Sequence, residues 1–168
     1  GVPFVKVARA WWDSHGQNFE THRELCADLD HCMSTLLDDL KQRGLLETTL
    51  VITLGEFGRT PKINGSLGRD HFANAWSCTL SGCGIQGGTV FGKTDADGQT
   101  VIDGEMNAGD LFATIFAALG IPPDKEYMCA GGVRSRLESG IRVCLDHNQT
   151  SANDPTTSVA SAAPAPAP

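Results

Sequence analysis

Three short clusters in this chain set carboxylates and imidazoles where a cation can be gripped. Asp13 and His15 stand two apart in Trp12-Asp13-Ser14-His15-Gly16. In extended backbone, residues i and i+2 point to the same side, so this spacing turns a carboxylate and an imidazole toward one point. Glu56 lies in Gly55-Glu56-Phe57-Gly58-Arg59-Thr60-Pro61, beside glycines that permit tight turns and close backbone approach. Asp70 and His71 adjoin in Gly68-Arg69-Asp70-His71, after a loop containing Gly and Asn that can fold back over the same edge. Carboxylate and imidazole donors suit zinc or manganese and need no thiolate. Two divalent ions roughly 4 Å apart can clamp the attacking and leaving oxygens of a phosphoryl transfer. Each ion takes about three protein ligands. Asp13, His15, Glu56, Asp70 and His71 fall short of two complete sets, so one or two ions are expected. Arg59 and Arg69 are candidates for neutralising a phosphate or sulfate oxyanion, since a guanidinium suits bidentate contact. Each feature also has a plainer reading: a surface Asp-x-His pair, a turn-capping Glu, a polar loop element, and solvated arginines.

Other polar motifs read as structure. His22 and His31 fall on a predicted helix, and His147 borders a change in composition. Trp11, Trp12 and Trp76 read as core or rim packing. Asp95-Ala96-Asp97-Gly98 lacks the further acidic positions of a calcium loop and reads as a turn. Asn64-Gly65-Ser66 and Asn148-Gln149-Thr150 match the glycosylation sequon, a pattern short enough to arise by chance. The cysteines at positions 26, 32, 78, 83, 129 and 144 contain no Cys-x-x-Cys. Buried free thiols are expected of them, with scattered disulfides the alternative.

The elements that would carry these clusters alternate in type. Residues 4–8 are β-rich and alternating, and predict a strand that ends at the Asp13 cluster. Leu25, Leu29, Met33, Leu36, Leu37 and Leu40 recur every three or four residues and predict a helix over 19–43, with Gly44 at its C′ position. Residues 49–54 form a short β-branched run, which predicts a strand buried on both faces, as in parallel sheets. A further strand is predicted over 75–80. A hairpin is predicted from 89–91 and 100–102 around Asp97-Gly98. A helix is predicted over 111–119, opened or capped by Asp110 and stopped by Gly120, Pro122 and Pro123. Residues 1–147 read as one layered α/β domain, in which ligands bind beyond the carboxyl ends of the strands. Residues 148–168 are rich in Ser, Thr, Ala and Pro and read as a disordered tail.

The chain has 168 residues, 40% hydrophobic and 20% charged, with a formal net charge of −7. That balance argues against a nucleic-acid partner, which calls for a basic face. No apolar run approaches the roughly 18–20 residues of a membrane span. The chain starts Gly1-Val2-Pro3-Phe4-Val5 without a targeting pattern, and reads as an excised piece whose compartment is not legible.

Taken in order, the Trp12–Gly16, Gly55–Pro61 and Gly68–Phe72 stretches resemble the domain-of-unknown-function family numbered 1501. Gly82-Cys83-Gly84-Ile85, Gly87-Gly88 and Asp110-Leu111-Phe112-Ala113-Thr114-Ile115 fit the same likeness, which covers about residues 1–125. That family is placed in the alkaline phosphatase and sulfatase superfamily. The resemblance implies a three-layer α/β/α core with a mainly parallel sheet and divalent metals at the strand ends. By that likeness Asp13 and His15 look like ligands of one metal, which His71 completes. Glu56 looks like a ligand of a second metal, and Asp70 carries over less directly. The likeness also implies that the nucleophile and a further metal-binding Asp precede Gly1. On that reading the chain is a C-terminal half whose missing N-terminal half is its partner, inactive alone against a small phosphate or sulfate ester. Export follows by the same analogy. The alternative is a non-catalytic metal-binding or assembly protein of the same fold.

Overall fold

The structure is a computed structural model and describes residues 2–122, 125–128 and 134–136. Helix α1 (Asn18–Gln42) is followed by a 3₁₀ turn (Leu46–Thr48) and strand β1 (Val51–Thr53). Strands β2 (Gly58–Arg59), β3 (His71–Phe72), β4 (Thr79–Ser81), β5 (Lys93–Thr94) and β6 (Val101–Asp103) come next. Helix α2 (Ala108–Ala118) and strands β7 (Glu126–Met128) and β8 (Arg134–Arg136) complete the described elements. No helix among the described residues is long and apolar enough to cross a membrane. The predicted tail, with His147, Cys129 and Cys144, lies outside the described residues.

The helices follow their sequence signals closely. Helix α1 spans the leucine repeat, and the chain leaves it through a Schellman turn. There Gly44 takes a φ of 67°, Gly44 N donates to Lys41 O at 3.1 Å, and Leu45 N donates to Leu40 O at 2.8 Å. Helix α2 starts earlier than Asp110. Its N-cap is Asn107, and Asp110 is the reciprocal partner of a capping box. Asp110 N donates to Asn107 Oδ1 at 3.1 Å and Asn107 N donates to Asp110 Oδ2 at 3.0 Å. The Asp95–Gly98 turn also forms, with Gln99 N donating to Asp95 Oδ1 at 2.8 Å. Its flanking strands, β5 and β6, sit slightly later than expected.

The expected three-layer α/β/α core with a mainly parallel sheet is not what the chain forms. Among the described residues every sheet is a two-stranded antiparallel pair: β1–β4, β2–β3, β5–β6 and β7–β8. The reason lies between β1 and β4. Parallel neighbours need a crossover, usually a helix, to bring the chain back to the same end. Here the connection is instead spent on the β2–β3 hairpin. The chain therefore returns antiparallel, with Val51 opposite Ser81 and Thr53 opposite Thr79. The β1 side chains are only half-buried, so the run at 49–54 is not sandwiched between layers. Residues 4–8 form no strand, and Phe4, Val5 and Val7 are exposed. Alternation alone gives no ladder without a partner to take its N–H and C=O groups.

Among the described residues the buried apolar ones are few: Leu25, Leu111 and Ala118. Of the α1 stripe only Leu25 is enclosed, at 3% exposure, while Leu29 and Leu36 are 41% and 44% exposed. Trp11 and Trp76 are exposed rather than core. Cys26 and Cys32 are exposed, against the expectation of buried thiols. Cys83 Sγ reaches Ala118 O at 3.0 Å and ties the end of β4 to α2.

Candidate metal centre

The segment ahead of α1 alternates as its spacing requires. Ser14 turns toward the helix, donating from Oγ to Asn18 Oδ1 at 3.1 Å and lying 3.1 Å from His22 Nε2. His22 Nε2 is also 3.4 Å from Trp12 O, and the two rings pack at 5.3 Å. Asp13 and His15 point the other way, into solvent. The helix N-terminus has no side-chain cap. Its leading N–H groups go to the loop after β2 instead, with Gln17 N donating to Ser66 O at 3.1 Å and Asn18 N to Leu67 O at 3.0 Å.

That loop, residues 60–70, is folded around Asn64. Its Oδ1 accepts from Ser66 N at 2.9 Å and Gly68 N at 3.0 Å, an Asx-turn arrangement. Its Nδ2 donates to His15 O at 3.0 Å and to Asp70 Oδ1 at 3.1 Å. Gly68 is buried, and a Cβ there would overlap the His15 carbonyl, so only glycine lets the loop close on the segment ahead of α1. Arg69 Nη1 donates to Thr60 O at 2.7 Å and Pro61 O at 2.6 Å, which makes it a staple of the loop.

The loop delivers His71 on β3 directly across from Arg59 on β2. Phe57 packs on the His71 ring at 4.3 Å. The outcome is a cluster of Asp13, His15 and His71, whose ligand atoms all lie within 4.8 Å of one another. The triangle they draw is nearly equilateral. Asp13 Oδ1 is 2.9 Å from His71 Nε2 and 3.0 Å from His15 Nε2, and the two Nε2 atoms are 3.2 Å apart. Donors bound at about 2.0–2.1 Å to a tetrahedral zinc ion stand about 3.3 Å from one another. The residues present therefore fit a divalent cation with little movement. The side chains are 59%, 48% and 48% exposed, so a further position stays open to solvent or substrate.

The electrostatics agree with that donor set. The His71 hydrogen bond, helped by Arg59, holds the Asp13 carboxyl down to about 2, so it is ionised at any working pH. Arg59 Nη1 donates to Asp13 Oδ1 at 2.6 Å. Asp70 Oδ1 accepts from His15 Nδ1 at 2.8 Å. That bond raises the His15 pKa and lowers that of Asp70, which Asn64 also stabilises as an anion. It fixes the tautomer as well: with the proton on Nδ1, the Nε2 lone pair of His15 faces the triangle. A carboxylate behind a ligating histidine is the usual outer partner of such sites.

Asp13, His15 and His71 are thus brought together, with Asp70 behind His15. Glu56 lies exposed in the bend after β1 and outside the three-residue group. Asn64 is the residue that sequence reading passed over. The Asn-Gly-Ser signal marks an Asx turn as readily as a sequon, and its amide nitrogen is engaged in holding the centre. Ser14 and His22 were passed over as positioning residues too, because nothing in their spacing marks a contact across two turns.

No curated protein and no solved structure matches the chain. The model of one family, described as "Protein of unknown function (DUF1501)", matches residues 1–146, and the chain belongs to that family.

Proposed function

We propose that the Asp13–His15–His71 cluster binds one divalent ion, zinc or manganese, and that the gene product is a metal-dependent hydrolase of phosphate or sulfate esters. The observation that carries this reading is the near-equilateral donor triangle, assembled from side chains 56 and 58 positions apart. A bound divalent ion supplies Lewis acidity, polarising an ester oxygen and easing deprotonation of a water. The likeness to the alkaline phosphatase and sulfatase superfamily rests here on ligand chemistry alone, since the fold differs.

The chain's own groups divide the remaining work. Asp13 supplies the anionic oxygen. His15, held by Asp70, and His71, held between Phe57 and the β2–β3 ladder, supply neutral nitrogens. Arg59 supplies the fixed positive charge beside them and is the group placed to meet an ester's anionic oxygens. Glu56, on the same turn as Phe57, is the candidate for a second ion's ligand. The nucleophile comes from outside the Asp13–His15–His71 cluster.

A second reading has an observation in its favour. The centre is open to solvent and is not enclosed in a dry cavity of the kind that strengthens catalytic electrostatics. On that reading the metal holds the loops together and the protein serves binding or assembly. Metal content of the purified gene product, followed by hydrolysis of an aryl phosphate and an aryl sulfate, separates the two. Metal with turnover supports the hydrolase. Metal without turnover of either ester supports the structural role. No metal, after incubation with zinc or manganese, ends both.

A further inference from the structure

Asp13 Oδ1 is already engaged by two donors, His71 Nε2 and Arg59 Nη1. It is the shared vertex of the donor triangle, 2.9 Å from His71 Nε2 and 3.0 Å from His15 Nε2. The same atom, and not the other carboxylate oxygen, accepts the 2.6 Å bond from Arg59 Nη1. Arg59 is less exposed than the three donors, its side chain 21% exposed, and its guanidinium lies 5.6 Å from the Phe57 ring centroid. It is thus held on the β2 side and cannot simply drift into solvent without losing packing.

A guanidinium and a dication on one carboxylate oxygen are like charges only a few ångströms apart. The two are close to mutually exclusive there. We propose that Arg59 is a latch on the metal site: its ion pair with Asp13 competes with a divalent cation for Oδ1, and a tetrahedral dianion that engages the freed guanidinium promotes metal loading. This rests on the reading of the Asp13–His15–His71 cluster as a metal centre.

Charge counting supports the coupling. Asp13 and Arg59 cancel, and so do Asp70 and a protonated His15 or, with His15 neutral, Asp70 stands alone beside it. With a dication bound and His15 neutral, the ion and Arg59 together outweigh Asp13 and Asp70, so the centre carries a net positive charge that draws an oxyanion to the freed guanidinium. A guanidinium presents paired N–H donors suited to two oxygens of such an anion. Metal and anion then bind with positive coupling, and by linkage each strengthens the other by the same factor. Arg59 would report whether a dianionic group is present, so the centre would hold its metal best when an ester anion is there to be bound.

The test is calorimetric titration of the chain with manganese alone, with and without inorganic sulfate, chloride balancing the ionic strength. In the wild type, sulfate is expected to tighten manganese by about fivefold or more, the usual scale of such coupling. Arg59→Gln is expected to bind manganese more tightly than the wild type in sulfate-free buffer and to lose the sulfate response. Equal affinity with and without sulfate in the wild type would overturn the latch, as would weaker manganese binding by a folded Arg59→Gln chain. If circular dichroism shows that variant unfolded, the wild-type sulfate response alone decides. Failure of the underlying metal reading looks different: no manganese heat in the wild type at all, with or without sulfate.

Discussion

Two regions of this molecule are built on opposite terms. Around residues 12–18 and 57–72, polar groups far apart in sequence are knitted into one centre by hydrogen bonds: Asn64 to His15, Asp70 to His15, Arg59 to Asp13. Along α1 and the residues before Asp13, apolar side chains lie open, Leu29, Leu36, Phe4 and Val7 among them. The first region holds its geometry with almost no buried apolar area, through an Asx turn, a glycine contact and helix N–H groups given to a neighbouring loop. The second has the apolar stripe of a packed helix and little to pack on. Precision at a site, then, does not require that the site sit on the hydrophobic core. It requires that each polar group in the supporting loops have a named partner.

The sharpest way to break that contrast is at the triangle itself. Asp13→Asn keeps the shape and removes the anionic vertex. Metal affinity is expected to fall by more than the roughly 10–100-fold seen when an outer-shell partner is lost. Competition against a chelator measures it. Unchanged affinity would mean the metal sits elsewhere.

Asp70→Asn comes next and probes the outer shell. It leaves the three donors in place and removes the carboxylate that fixes His15. A loss of about 10–100-fold in metal affinity is expected. The pH profile sharpens it. Asp70 raises the His15 pKa, so in the wild type protons compete with metal up to a higher pH than for an ordinary histidine. Affinity should therefore fall as pH drops through that raised value, with Asp13, held at about 2, ionised throughout. In Asp70→Asn the midpoint of the fall should move to lower pH. A midpoint that stays put would remove Asp70 from the account.

How much of this was legible follows the same divide. Asp13 and His15 could be paired from sequence because a two-residue spacing fixes direction in extended chain, and the structure keeps that direction with Ser14 facing away. Their convergence with His71 could not be read from spacing, because it depends on the Asn64 turn and on Gly68 closing against His15. Residues 49–54 illustrate the failure on the apolar side. A short apolar β-branched run carries no sign of whether its neighbour runs parallel or antiparallel, and the β2–β3 hairpin downstream decided it. Residues 4–8 failed for a related reason, since an alternating pattern names a face but supplies no partner. The C-terminal end of α1 was legible, because Gly44 acts within a few residues, whereas the start of α2 was placed at Asp110 and lies at Asn107, the other half of the capping box.

Gly68→Ala tests the claim that the loop contact positions the centre. The added methyl would overlap the His15 carbonyl. Overpacking of this kind typically costs about 1–3 kcal/mol. The thermal midpoint should drop, and metal affinity should fall with it, because His15 must move. A variant as stable as the wild type, with unchanged metal binding, would show that the loop and the segment ahead of α1 are independent.

The smallest effect belongs to the open face. Leu36 is 44% exposed on α1, although its spacing marks it as a core position. Leu36→Gln should therefore leave stability within about 0.5 kcal/mol, as for an ordinary surface substitution. It should leave metal affinity untouched, because Leu36 lies about five turns along α1 from the end that meets the Asp13 centre. Chemical unfolding at several protein concentrations is the measurement. A cost above about 2 kcal/mol is the range for truncating an enclosed leucine. Such a cost would mean the stripe is covered in solution, and dependence on concentration would identify a second copy of the chain as the cover. The contrast between the regions would then belong to the isolated chain, and the α1 face would be as fully partnered as the polar loops already are.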